Sequence, residues 1–405
     1  MQPRFDILIV GAGHAGAHAA MALRQRTYPG SIAIIGEESD SPYERPALSK
    51  EYLAGKKPFA RMLIRPEAFW LEREIPLLLG HRVIAVDPER HAVMLANGSS
   101  VGYGVLIWAT GGKPRRLTCR GHNLVGMHTM RSRADVDAMR TELDNVRHIV
   151  IIGGGYIGLE AAATLTQLGK LVTVLEAQDR VLARVAAVPL SRFYEAEHRS
   201  HGVAIELNVV VECILGLNGR VSGVRLAGGI ELPTTMVLVG IGIVCEVQPL
   251  LAAGAAGSNG VDVDSVCRTS LPNVFAIGDC AVHDNCFANG AKLRLESVQN
   301  AVDQALVVAK AITGQFEPYR AVPWFWSNQF DLRLQTVGLS IGFDSVTVRG
   351  DPASRRFSVT YGRAGKLIAV DCVNATKEYL RARSLLASSP LPPLELTDEE
   401  ASAVN

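Results

Sequence analysis

Residues 5–25, FDILIVGAGHAGAHAAMALRQ, begin with a continuous apolar run that is too short for a helix and ends on glycine, so the run reads as a buried parallel strand. Gly11, Gly13 and Gly16 follow with the spacing G-x-G-x-x-G, which supplies a tight bend, close backbone approach to a pyrophosphate and close helix–strand packing. The N-terminus of the next helix then turns its unpaired N–H groups toward phosphate. A lone glycine triplet also suits packing, and the following strand strengthens the nucleotide reading. SIAIIGEE (31–38) carries Glu37 about 20-odd residues downstream, where a carboxylate takes ribose hydroxyls.

The pattern recurs at 148–169, HIVIIGGGYIGLEAAATLTQLG, with Gly153, Gly155 and Gly158, and LVTVLE (171–176) closes on Glu176. Two complete units imply two dinucleotides. A carboxylate at Glu176 accepts from free 2′- and 3′-hydroxyls and repels a 2′-phosphate, and Ala177 and Gln178 follow it in place of arginine. The second site is therefore expected to prefer NADH, with Arg180 and Arg184 near enough to serve NADPH in part.

Outside these units, 405 residues imply about two or three domains. A net charge of +1 offers no global field for nucleic acid or an anionic membrane. The apolar run 236–244 is about half of the ~20 residues a membrane span needs, and Gly240 and Gly242 interrupt it. The apolar start could imitate a signal peptide, but cleavage there would destroy the first glycine motif. Seven cysteines contain no C-x-x-C pair and no metal-ligand pattern, which fits buried thiols in a reducing cytoplasm and no metal site.

The strand VLIWATGG (105–112), its echo LVGIGI (238–243) and the return VFAIGDCA (274–281) complete a two-dinucleotide plan. With PYERPALSK (42–50), ATGGKPRRL, GGGYIGLEAAA, GIGIVCEV, LESVQNA and VPWFWSNQF, the chain over residues 1–380 resembles the FAD-dependent ferredoxin reductases of the putidaredoxin-reductase and Rieske-dioxygenase-reductase type. The resemblance implies an α/β fold with two Rossmann-like domains, glutathione-reductase-like, plus a small α+β C-terminal domain with an antiparallel sheet. Its expected boundaries are 1–112 with 243–320 for FAD, 113–242 for NAD, and 321–405 completing the flavin pocket.

By the family pattern FAD falls on Gly11, Gly13, Gly16, Glu37, Arg45, Lys50, Ala109 and Asp279, with Val298 and Trp326 near the ring. NADH falls on Gly153, Gly155, Gly158, Glu160, Glu176, Arg184 and Gly242. Val298 stands where some relatives carry tryptophan, and Cys245 where proline is common, which leaves the flavin edge open in shape. Arg45 fits either a solvated loop charge or a preorganised phosphate or flavin contact, and the flanking prolines favour the contact.

Disulfide reductases of this plan keep a C-x-x-x-x-C pair near where PYERPALSK stands, whereas the first cysteine here is Cys119. Hydride transfer from nicotinamide to flavin needs stacking and electrostatics rather than a protein base. His14, His18, His128 and His283 are accordingly expected as loop or surface residues. The family pattern instead assigns catalysis to Lys50, an ammonium that raises flavin electron affinity, with Glu160 as its fixing carboxylate. A helix starting near Ser297 would aim N–H groups at the reduced ring.

VTVRG, RRFSVTYG and KLIAVDCV read as strands of an antiparallel sheet, and the tail 388–405 as proline-rich, then acidic and poorly ordered at its end. The expected partner is an acidic [2Fe-2S] ferredoxin, which accepts one electron at a time, serving a cytochrome P450 or Rieske oxygenase. Its dock would draw on Lys56, Lys57, Arg61 and Arg65, and on Lys292 and Arg294, with Trp326 lining the electron exit. The expected assembly is a monomer or weak homodimer. Rubredoxin reductase, monodehydroascorbate reductase and an apoptosis-inducing-factor-like protein that acts without turnover share the plan and stand as alternatives.

Overall fold

A computed structural model describes residues 3–388 and 393–394, so the expectation for the tail falls almost wholly outside the described residues. The chain forms two compact units. One comprises 1–44, 59–113 and 244–323; the other comprises 45–58, 114–243 and 324–405.

In the first unit the apolar run becomes the strand Arg4–Val10, flanked in parallel by Ile32–Ile35 and Ser100–Trp108. Alternation sends Ile7 and Ile9 to one face, against Leu23 and Ala305, and Leu8 and Val10 to the other, against Val93 and Trp108. Both faces are covered, which is why the run is apolar at every position from Ile7 to Val10. The helices His14–Gln25 and Val298–Ile312 pack together over the first face. Val274–Ala276 joins the sheet in parallel beside Ser100–Trp108. This sheet is seven-stranded, and its antiparallel side is formed by Val83–Asp87 and Ala92–Leu95.

The second unit repeats the plan in a five-stranded, all-parallel sheet ordered Ala204–Glu206, Leu171–Leu175, His148–Ile152, Met236–Val239, Met127–His128. The same unit holds an antiparallel sheet of five strands, Trp324–Gln329, Leu332–Gly338, Lys366–Val373, Arg356–Arg363 and Ser345–Asp351 in that spatial order. The three expected strands are present, and two more precede them. Trp324 and Trp326 lie inside the first of these.

Segment 45–58 belongs to the second unit as well. The expected tight loop is instead a 3₁₀ turn, Arg45–Ala47, followed by a π-helical turn, Leu48–Tyr52, in which Lys50 leaves helical geometry at φ −124° and ψ −109°. π-turns cluster at functional positions because they re-aim a side chain.

Candidate active site

Each glycine turn is built on the same carbonyl crowding. Gly11 has φ +117°, and a Cβ there would stand 2.3 Å from the Ala109 carbonyl oxygen; at Gly16 it would stand 1.9 Å from that of Gly11. In the second unit Gly153 has φ +111° with the Gly240 oxygen at 2.4 Å, and Gly158 would meet the Gly153 oxygen at 2.1 Å. No side chain larger than hydrogen fits either pair of positions. Around Gly155, by contrast, a Cβ would meet nothing within 4 Å. Gly13 and Gly155 begin the helices His14–Gln25 and Tyr156–Gln167 with no side-chain cap, which leaves backbone N–H groups available to a pyrophosphate. The residues present therefore fit a dinucleotide at each turn.

The first unit gathers most of the expected FAD residues at one end of its sheet. Ala109 lies against Gly11, and a Cβ on Gly278 would lie 3.2 Å from that of Ala15 and 3.8 Å from that of Ala301. This contact brings the turn carrying Asp279 to the starts of both helices. Gln304 Oε1 accepts from the Gly278 N–H at 2.7 Å, and Arg294 donates to the Asp279 carbonyl at 2.6 Å. Val298 is the first residue of its helix, which starts near Ser297 as expected; Ser297 caps it, with the Asn300 N–H donating to Ser297 Oγ at 3.0 Å. Glu37 is half exposed beside Lys113 at 3.2 Å.

At the second turn Glu176 accepts from the Gly154 N–H at 2.7 Å and the Gln178 N–H at 2.9 Å. Arg180 donates to the carbonyls of Ala186 and Ala183 at 2.8 and 3.0 Å, so its guanidinium is committed to its own loop. Arg184 is exposed, and its Nη2 lies 3.9 Å from the Cβ position of Gly242.

Lys50 and Glu160 are brought together within the second unit. Lys50 Nζ lies 2.6 Å from Glu160 Oε2, with 13% and 3% of the two side chains exposed. Two serines that the sequence does not single out complete the carboxylate's shell, Ser49 donating to Oε2 at 2.6 Å and Ser327 to Oε1 at 2.7 Å. Thr164 anchors the turn by donating to the Ser49 carbonyl at 2.8 Å. Arg45 donates to the Arg131 carbonyl at 2.7 Å, so its fixed direction serves at least this backbone contact. Removing one partner of the buried Lys50–Glu160 pair costs about 3–5 kcal/mol, because the other charge stays behind. Trp326 is half-buried, 5.6 Å from Trp324 by ring centroids.

Several surface expectations are corrected. Arg294 is not a surface charge: 13% of its side chain is exposed, and it pairs with Glu296 at 2.9 Å while bonding to Asp279. Lys292 is exposed but paired with Asp262 at 3.0 Å. His283 is buried beside Asn285, and His14 and His18 sit on a helix rather than a loop. Burial first, then the neighbouring Arg65, holds the His18 imidazole below its usual range. Among the described residues no group of side chains forms a metal site, and no helix is long and apolar enough to cross a membrane. None of the seven cysteines forms a disulfide.

Two glycine turns, each following a strand with parallel neighbours, with a buried lysine–carboxylate pair and no dithiol, define a two-dinucleotide oxidoreductase. The chain belongs to the pyridine nucleotide-disulphide oxidoreductase family, matched over residues 5–305, with a reductase C-terminal domain over 324–403, and within it to the ferredoxin reductases. It is 56% identical to a ferredoxin–NAD(P)+ reductase from Sphingomonas sp., over 98% of this chain and 96% of that one. It is 57% identical to the ferredoxin reductase subunit of a 5,5′-dehydrodivanillate O-demethylase from Sphingobium sp., over 95% and 93%. Putidaredoxin reductase, solved as a covalent complex with putidaredoxin, superposes with a TM-score of 0.93 at 35% identity, over 98% of this chain and 96% of that one. The two cofactors of this family are FAD and NAD(P)H.

Proposed function

We propose that the chain is an NADH-dependent ferredoxin reductase that delivers single electrons to an acidic [2Fe-2S] ferredoxin feeding a cytochrome P450 or Rieske oxygenase. The observation that carries the reading is a pair of dinucleotide turns in a chain whose cysteines offer no paired sulfur outlet. The relatives named as ferredoxin reductases support it. FAD supplies hydride acceptance and one-electron release. Gly11, Gly13 and Gly16 hold its pyrophosphate, Glu37 its ribose, and Asp279 its ribityl chain, with Arg45, Ala109, Val298 and Trp326 completing its contacts. Lys50, oriented by Glu160, supplies the cation that hydride arrival calls for.

Gly153, Gly155 and Gly158 hold the nicotinamide dinucleotide, with Arg184 and Gly242 beside it. Glu176 selects the free ribose hydroxyls, and the commitment of Arg180 to loop carbonyls removes it as a phosphate partner. A cytoplasmic monomer or weak homodimer suits seven cysteines that form no disulfide and a net charge of +1. The test is anaerobic titration of the FAD-loaded protein. NADH should bleach the flavin, and a [2Fe-2S] ferredoxin should reoxidise it while its own iron–sulfur spectrum bleaches. Flavin reoxidised by ascorbate radical or rubredoxin, and not by any such ferredoxin, would overturn the proposal.

A further inference from the structure

The strand Trp324–Gln329 sends alternate residues to one face, and Ser327 and Gln329 on that face are 0% and 1% exposed. Ser327 Oγ lies 2.7 Å from Glu160 Oε1, and Gln329 Nε2 lies 3.1 Å from the same hydroxyl. Gln329 Oε1 lies 2.8 Å from Nε2 of His198, which is fully buried on the helix Val188–Ser200.

A carboxylate only accepts, and that sets the direction of every bond behind it. Ser327 donates to Glu160, so it accepts from the Gln329 amide, whose carbonyl accepts from His198 Nε2–H. His198 is thereby fixed as the neutral Nε2–H tautomer. Its Nδ1 is buried with no partner, and burial pushes the imidazole down to about 4, so a second proton does not compete. Three donors in series thus point at one oxygen of Glu160, while Lys50 and Ser49 take the other. Aligned buried hydrogen bonds polarise one another, and an oxygen left without a donor there is costly.

We propose that Ser327 and Gln329 are positioning residues for the reaction: by occupying Glu160 Oε1 they keep Oε2 for Lys50 and hold its ammonium in one orientation. A carboxylate freed on one side would turn, and the ammonium would average over several directions, which weakens the fixed positive field that favours flavin reduction. The inference rests on the reading of Lys50 as the cation that serves the flavin.

The experiment is a double-mutant cycle on the FAD-loaded enzyme with Ser327→Ala, Gln329→Met and Lys50→Met, alone and paired. Flavin reduction at saturating NADH and the flavin midpoint potential are both read. Ser327→Ala should slow reduction roughly tenfold and make the potential more negative, with FAD content and the KM for NADH unchanged. Gln329→Met, which leaves Ser327 in place should the alanine variant fold poorly, should act in the same direction but less. Both effects should vanish in the Lys50→Met background. Effects that multiply in that background, or an unmoved potential in both single variants, overturn the inference. A silent Lys50→Met overturns the reading beneath it, whereas an active Lys50→Met with silent Ser327→Ala and Gln329→Met overturns only the inference.

Discussion

At the first glycine turn the downstream carboxylate, Glu37, is half exposed and stands among cations, with Lys113 at 3.2 Å and Arg82 at 3.9 Å. At the second, Glu176 is folded onto its own turn, held by two backbone N–H groups, and among the described residues no lysine or arginine lies within ion-pair distance. Spacing is shared, electrostatics are not. A carboxylate flanked by ammonium and guanidinium has its charge partly offset, whereas amide dipoles hold a carboxylate without a counter-charge. The two turns share the glycine motif and differ in the neighbours of the acidic strand end, which is where a difference in nucleotide preference is to be tested.

The largest effects should come from breaking one turn at a time. Gly16→Ala puts a methyl 1.9 Å from the Gly11 oxygen and should yield protein without FAD, read as flavin absorbance per chain. Gly158→Ala, at 2.1 Å from the Gly153 oxygen, should keep FAD and its reduction by dithionite while NADH-driven reduction falls on the order of a hundredfold. If both variants lose FAD equally, the assignment of one dinucleotide to each turn is wrong.

Next in size, Lys50→Met should retain FAD but slow flavin reduction by roughly 10–100-fold in stopped-flow traces at saturating NADH. It should also lower Tm, because Glu160 stays buried with only Ser49 and Ser327 as donors. A wild-type reduction rate would make Lys50 a purely structural charge.

Glu176→Ala should narrow the preference for NADH over NADPH, measured as a ratio of kcat/KM values, by about 1–3 kcal/mol. Glu37→Ala should leave that ratio alone. Equal changes in both variants would erase the electrostatic difference between the turns, and a wild-type ratio favouring NADPH would reverse it.

Both turns are legible in the sequence because everything they need is local: an apolar run, a glycine spacing, a helix. Glu160 is different. Its serine partners lie 111 and 167 residues away in the chain, and a single serine carries no periodicity or motif that would announce a buried bond to a carboxylate. The buried carboxyl of Asp371 is equally silent. It receives a hydrogen bond from Tyr361, and burial pushes it up to about 7, yet within KLIAVDCV it reads as one polar residue of a strand. Arg294 misleads for the opposite reason. A basic residue in a charge-balanced chain defaults to the surface, and only tertiary packing turns it inward to the Asp279 carbonyl.

That inward turn separates the smallest expected effect, at Arg65, from a larger one at Arg294. Arg65 is exposed, with its guanidinium over the Phe69 ring at 5.6 Å, and on it the proposed acidic partner can be tested. Arg65→Glu should raise the KM for ferredoxin by roughly three- to tenfold at low ionic strength, because rim charges act on encounter. The difference should fade as salt rises past ~0.1 M, where the Debye length falls to about 10 Å. Ferricyanide reduction, which needs no docked orientation, should change less, and flavin reduction by NADH should not change. Arg294→Glu should fail in another way: it removes the 2.6 Å bond to the Asp279 carbonyl and sets two carboxylates beside each other at Glu296, so FAD content should fall before any docking defect is seen. A ferredoxin KM that ignores both salt and the sign of residue 65, with flavin reduction shown not to limit turnover, would return Arg65 to the solvated surface.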